Sequence, residues 1–279
     1  MADPKMTDHY AVIGNPISHS KSPLIHAEFA KQTGQDLDYI ARKIPIDELA
    51  AGLKQLHAEG FKGINITVPF KEQAWQQVSD KSAHAQRAGA INTIIFNNDG
   101  SLSGDNTDGI GLCRDLINNH HIKLEGKRLL LLGAGGAARG VIEPLLKYQP
   151  ASLFIANRTA SKAADLCTLF ADFGNVNGGG YEGLSGTFDV IINATAASLS
   201  GEVPPLADTI INPNTVCYDM MYSNNDTAFI TWAKQHGVTK TIDGLGMLVE
   251  QAAEAFRLWR GVQPTTQDVI THIRQLNKS

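Results

Sequence analysis

Along the first third of the chain, short apolar runs alternate with stretches whose apolar residues recur at helical spacing. Residues 10–13 read as a strand. Ser22 and Pro23 then open a helix to about Lys31, with Ser22 as N-cap and Pro23 in the first helical position. Residues 39–44 read as a strand, and Asp47 caps a helix that runs to about His57 and stops at Gly60. Residues 63–68 form the next strand, and a helix starts near Phe70, after Pro69. The run 90–96 followed by "NNDG" reads as a hairpin turning at Asp99-Gly100.

From Lys127 onward the runs become fully apolar: 128–132, 153–156, 188–192 and 215–218. Strands apolar on both faces belong to a parallel sheet covered on each side. "NVNGGG" (175–180) reads as loop, and the tail holds two helical patterns, 245–260 and about 265–275. The pattern therefore predicts an α/β protein of two α/β domains. The first spans residues 1–107 and is completed by C-terminal helices 245–279, which return to it; the second spans 108–244.

A chain of 279 residues can bury two such cores. Its net charge of −4, with no basic run, leaves no footprint for nucleic acid and favours a small-molecule site. Cys113, Cys167 and Cys217 are scattered, with no CxxC, so they read as buried thiols rather than disulfides or metal ligands. No HExxH or other metal motif occurs, and no metal is expected. No apolar run reaches the length of a membrane span, and the first ten residues carry no apolar signal region. A cytoplasmic protein is the simplest reading, with Met6 as a native start and residues 1–5 as a remnant.

"GAGGAA" (133–138) fits the dinucleotide fingerprint G-x-G-x-x-G/A, between a strand and a helix. One glycine allows the tight turn, the next lets backbone N–H groups approach a pyrophosphate, and Ala138 permits close helix–strand packing. An acidic residue at the end of the second strand would bond the ribose hydroxyls of NAD. This chain instead has Asn157-Arg158-Thr159, with Lys162 following, which suits the 2′-phosphate of NADP.

A nicotinamide cofactor exchanges hydride, so a carbonyl or alcohol substrate and a proton donor are required. Lys71, near a helix start just past the strand 63–68, and Asp108, in "GDNTDG" (104–109), are the candidates. Taken singly, such a lysine is ordinarily solvated and such an aspartate ordinarily a turn or cap residue. "GDNTDG" is not a calcium loop: aligning Gly109 with the sixth loop position puts Gly104 where a carboxylate is needed. Its glycines read as a bend, with Asp105 as a turn residue. Ser18-His-Ser-Lys21 matches S-x-x-K, but the partner motifs of acyl-serine enzymes are missing.

"VIGNPISHSKSPLIH" (12–26), "NITVPFK" (65–71), "AGAINT" (88–93), "GDNTDG" (104–109), "GAGGAARG" (133–140), "NRT" (157–159), "CYDMMY" (217–222) and "DGLGMLVEQAA" (243–253) together resemble shikimate dehydrogenases, in family order. The resemblance implies an N-terminal substrate domain and a Rossmann-type NADP-binding domain. It implies NADPH-dependent reduction of 3-dehydroshikimate to shikimate, on the route to chorismate and the aromatic amino acids. Lys71 and Asp108 then stand at the family's catalytic pair. Ser20 and Ser22 stand at the substrate carboxylate, with Thr67, Asn92, Tyr222 and Gln251 around the ring. Cofactor contacts carry over to Gly133, Ala134, Gly135, Gly136, Ala137, Asn157, Arg158, Thr159, Lys162, Thr195, Met220 and Gly244.

Two departures from the family pattern affect cofactor grip. Ala196-Ala197 follows Thr195 where Ser is usual, and Lys162 stands where Arg is frequent. The rival readings are an NAD-using quinate/shikimate dehydrogenase and a non-catalytic sensor of shikimate or NADP. The chain is expected to be a monomer or homodimer.

Overall fold

A computed structural model of the chain describes residues 7–276; the reading of Met6 as a start lies outside them. The chain divides into two compact units. One holds the described residues through Asp108 together with Leu248–Ile273; the other holds Gly109–Met247 and the described residues from Arg274.

In the first unit, β1 (Asp8–Gly14), α1 (Ser22–Thr33), β2 (Leu37–Lys43), α2 (Leu49–Ala58), β3 (Phe61–Ile66), α3 (Lys71–Gln77), β4 (Asp80–Lys81), α4 (Ala83–Ala88), β5 (Thr93–Phe96) and β6 (Leu102–Asp105) build a sheet of order β2-β1-β3-β5-β6-β4. Strands β1, β2 and β3 are parallel, while β5 runs antiparallel to β3 and β6. Alternation sends Ala11 and Ile13 to one face, against Leu53 and Leu56 of α2, and Tyr10 and Val12 to the other. The second face is covered by the C-terminal helix α9 (Leu245–Arg260): Trp259 packs on Tyr10 and donates from its indole to Ile94 O at 3.1 Å. Gly63 admits it, since a Cβ there would lie 2.3 Å from Trp259 Nε1.

The second unit begins within α5 (Asp108–Arg114) and continues through β7 (Arg128–Leu132), α6 (Gly136–Leu146), β8 (Ser152–Ala156), α7 (Ala160–Phe170), β9 (Val176–Gly179), β10 (Val190–Asn193), β11 (Val216–Asp219), α8 (Ala228–Gln235) and β12 (Lys240–Ile242). All six strands are parallel, in the order β12-β11-β10-β7-β8-β9. This is the doubly wound Rossmann order, and it reverses between β7 and β10. Leu129 and Leu131 pack with Val141 and Leu145 of α6, whereas Leu130 and Leu132 pack with Phe229 and Ala233 of α8. Both faces of β7 are thus buried, which is why its sequence is unbroken leucine after Arg128. The last helix, α10 (Gln267–Leu276), follows α9.

Several local expectations are corrected. Residues 175–180 do not form only a loop: 176–179 are β9, paired in parallel with β8. A Cβ on Gly178 would meet Ile155 O at 2.7 Å and Cys167 Sγ at 2.8 Å, so glycine there serves close packing under α7 rather than a turn. Ser22 is the first residue of α1 and not its cap; Lys21 occupies that place with no side-chain bond, and Ser22 is buried. Glu48, not Asp47, stands at the N-cap of α2. Cys113 and Cys217 are buried and their thiols pushed up to about 12, but Cys167 is only half-buried. No described helix is long and apolar enough to cross a membrane.

Candidate active site

In the first unit, the parallel neighbours β1 and β3 send their following loops out at the same sheet edge, and Asn15 N bonds Val68 O at 3.0 Å between them. Carboxyl ends of parallel strands are where open α/β sheets bind ligands. The loop after β3 turns through Thr67 and the buried Phe70 into α3, whose first residue is Lys71. Lys71 Nζ reaches Asp108 Oδ2 at 2.5 Å, with the two side chains 14% and 6% exposed. A charge-assisted bond this well shielded from water is stronger than its surface counterpart.

Asn92 donates to the other oxygen of Asp108 at 2.8 Å, to Thr107 Oγ1 at 3.0 Å and to Gln251 Oε1 at 3.3 Å. Gln251, on α9, is itself held by a bond to Leu248 O at 2.8 Å. Lys71, Asn92, Asp108 and Gln251 therefore form one hydrogen-bonded cluster. Ser20, Ser22 and Thr67 lie outside it. Ser20 Oγ accepts from Ser22 N at 3.3 Å, and the Ser22 hydroxyl faces the Tyr39 phenol, whose pKa burial drives well up.

The glycines of "GDNTDG" are not a bend. Gly104 lies in β6, where a Cβ would meet Ile91 Cδ1 at 2.4 Å. Gly109 lies in α5, where a Cβ would meet Pro144 Cγ at 2.3 Å and Gly140 O at 2.5 Å. They are contact points that fix both sides of the motif. Asp105 accepts from Ser82 Oγ and from Asn106 N, closing the strand end, and Asn106 Oδ1 accepts from Asp108 N at 3.1 Å.

In the second unit, Gly133 follows β7 with φ of 110°, and a Cβ there would press on Ala194 O and Thr195 Cγ2, both at 3.3 Å. Gly135 is the N-cap of α6 with no side-chain bond, and nothing lies within 4 Å of where its Cβ would be. The first-turn N–H groups of Gly136 and Ala137 lack intrahelical acceptors and face that open space with the positive end of the dipole. After β8, Asn157 Nδ2 bonds Thr159 O at 3.0 Å, and Thr159 stands at the N-cap of α7. Arg158, Thr159 and Lys162 are exposed, and neither cation makes an ion pair among the described residues. An open glycine cradle, a helix terminus facing it and two exposed cations that make no ion pair among the described residues fit a dinucleotide bearing a 2′-phosphate.

Thr195 follows β10 and donates to Asn193 Oδ1 at 2.7 Å; Met220 and the half-buried Tyr222 follow β11. Gly244 lies where a Cβ would strike Met220 O at 2.2 Å, so the strand-end loop rests directly on that glycine. Among the described residues no cluster of His, Cys, Asp or Glu is arranged to hold a metal.

Three family models match the chain. The shikimate dehydrogenase substrate binding domain covers residues 12–94, the shikimate / quinate 5-dehydrogenase model 115–200, and the shikimate 5′-dehydrogenase C-terminal domain 244–274. The shikimate dehydrogenase (NADP(+)) of Hahella chejuensis is 55% identical over 268 residues, covering 96% of this chain and 99% of its own. The chain belongs to the shikimate dehydrogenase family. That of Cellvibrio japonicus is 53% identical over 271 residues, covering 97% and 98% of the two chains. Among solved structures, the shikimate 5-dehydrogenase of Thermus thermophilus in complex with NADP(H) and shikimate is 32% identical, with a TM-score of 0.84, covering 96% of this chain and 99% of that one.

As in that family, an N-terminal substrate domain accompanies a Rossmann-type NADP domain, and the C-terminal helix α9 packs on the first sheet. Several residues that hold the strand-end loops of each unit in place were not singled out from the sequence. Thr107 bonds Asn92, and Asn65 bonds Tyr39, Asn92 and Thr93. Asn193 and Asp219 order the loops of the second unit. Membership in the blocks "GDNTDG", "NITVPFK" and "CYDMMY" was the available signal for Thr107, Asn65 and Asp219.

Proposed function

We propose that this chain catalyses the reversible, NADPH-dependent reduction of 3-dehydroshikimate to shikimate, with Lys71 and Asp108 as its acid–base pair. The observation that carries the proposal is the shielded Lys71–Asp108 contact at 2.5 Å, with Asn92 on the carboxylate's other oxygen. NADPH, when bound, supplies the hydride that adds to the C3 carbonyl carbon. Lys71 delivers a proton to the C3 oxygen, so that C=O becomes CH–OH, and the partly exposed amine is reprotonated from solvent. Asp108 aims the ammonium and accepts from a substrate hydroxyl. In the reverse direction the neutral amine removes the hydroxyl proton.

Ser20 and Ser22 are assigned to the substrate carboxylate, and Thr67, Asn92, Tyr222 and Gln251 to the ring hydroxyls. A site that bonds each hydroxyl rejects analogues lacking one. The loop 133–137 and α6 take the pyrophosphate, while Asn157, Arg158, Thr159 and Lys162 take the adenosine end. Thr195, Met220 and Gly244 take the nicotinamide end. The enzyme is proposed to act in the cytoplasm, as a monomer or homodimer.

The test is NADPH oxidation with 3-dehydroshikimate, run against NADH, and the reverse reaction with shikimate and with quinate, which one matching family description includes. Turnover should require NADPH and 3-dehydroshikimate. Lys71→Ala should abolish it, a loss of about 10²–10⁴ in kcat, while NADPH still binds. Full activity in that variant would sink the assignment.

A further inference from the structure

Leu132, Asn193 and Asp219 end three neighbouring parallel strands in one register row, at the edge where the glycine loop leaves β7. Asp219 is fully buried and has no cationic partner among the described residues. Its four acceptor positions are filled instead by neutral donors from four segments. Oδ1 accepts from Asn193 Nδ2 at 3.1 Å and Met221 N at 3.0 Å; Oδ2 accepts from Ser198 Oγ at 2.7 Å and Thr227 Oγ1 at 2.6 Å. Burial pushes this carboxyl up, and bonds from Thr227, Met221, Ser198 and Asn193 pull it back down.

The bonds continue outward. Asn193 turns its carbonyl away from Asp219, and that oxygen accepts from Thr195 N at 3.2 Å and Thr195 Oγ1 at 2.7 Å. Thr227 caps α8, and Met221 N pins the residue after Met220. An acceptor-only group can satisfy all four donors; an amide of the same shape would turn N–H groups onto two of them. Thr195 reaches the carboxylate only through Asn193, and Ala196 and Ala197 have no side-chain donor, so Ser198 is the side chain of this loop that bonds the carboxylate directly.

We infer that Asp219 is a positioning residue for the nicotinamide half of the cofactor, and that Ser198 is the tie holding the loop of Thr195 onto it. This rests on the proposed reading that Thr195 and Met220 contact the cofactor. Ser198 is only half-buried, so Ser198→Ala removes the tie without opening the core.

The experiment measures by calorimetry the binding of NADPH and of adenosine 2′,5′-bisphosphate, which lacks the nicotinamide half, to wild type, Ser198→Ala and Ser198→Thr. Ser198→Ala should weaken NADPH about tenfold, the worth of one hydrogen bond to a charged acceptor, and leave the bisphosphate unchanged. Ser198→Thr, which keeps the hydroxyl, should bind NADPH like wild type. Unchanged NADPH affinity in Ser198→Ala, or equal weakening of both probes, would overturn the inference. Wild type that binds neither probe would instead overturn the NADP reading beneath it.

Discussion

The Asn92 amide nitrogen lies 2.8 Å from Asp108 Oδ1 while Lys71 Nζ lies 2.5 Å from Oδ2, so an amide and a cation divide one carboxylate between them. The amide's direction follows from chemistry. Asn92 Oδ1 accepts from the Thr107 backbone N–H at 2.8 Å, a group that can only donate, so the NH₂ end has to face Asp108. Asn92 therefore fixes where the carboxylate points, and through it where the lysine points.

Asn92→Ala should lower kcat for 3-dehydroshikimate reduction by about tenfold to a hundredfold, the worth of one hydrogen bond to a charged group. It also orphans the buried Thr107 N–H, at a stability cost of about 1–3 kcal/mol. Steady-state kinetics and urea denaturation of the same preparation measure both. A variant with unchanged kcat would mean that Lys71 alone orients Asp108.

Arg158 and Lys162 are exposed and without carboxylate partners among the described residues, so neither has an ion pair to lose. Arg158→Ala should raise the KM for NADPH by about tenfold to a hundredfold and leave that for NADH unmoved, because only the phosphate contact is removed. Equal effects on both nucleotides would indicate adenine stacking rather than phosphate binding.

How much of this was legible before the structure depended on whether the determinant was local. The β7–loop–α6 unit announces itself through an apolar run and closely spaced glycines, and the span of α9 through its helical period. Glycine is ambiguous where its reason is a distant neighbour. Gly178 reads as loop, yet it is bare because Cys167 and the Ile155 carbonyl press on it. Gly104 and Gly109 read as a bend, yet one makes room for Ile91 and the other for Pro144. Thr107 and Asp219 carry no local sign of their importance, since their partners Asn92 and Ser198 are remote in the chain. Only the family blocks around them point there.

Gly109 makes such a distant constraint testable. An alanine there would put its Cβ 2.5 Å from the Gly140 carbonyl, which is backbone and cannot rotate away. Gly109→Ala should destabilise the protein by about 1–3 kcal/mol through overpacking. It should also lower kcat, because α5 begins with Asp108 and any shift of that helix moves the carboxylate from Lys71. Thermal melting and kinetics check both, and a variant with wild-type melting would show that α5 has slack against α6.

His26 gives the fold a pH-dependent stability. It lies wholly buried on α1, its ring stacked 4.1 Å from Tyr39 and edge-on to Phe29 at 5.9 Å. Burial drives its pKa down to about 3, against a weaker upward pull from Asn65. In the unfolded chain the imidazole titrates near its ordinary value of about 6.5. Between those values the unfolded state holds a proton that the folded state refuses, so stability falls as pH drops from about 6.5 toward about 3. From pH 7 to pH 5 this residue alone should remove about 2 kcal/mol. Replacing it by an uncharged ring, His26→Phe, abolishes that contribution. Urea denaturation at the two pH values should therefore show wild type losing about 2 kcal/mol more than His26→Phe. Equal losses would mean that the folded protein accommodates the imidazolium, by admitting water beside Tyr39 or by shifting α1 from the sheet.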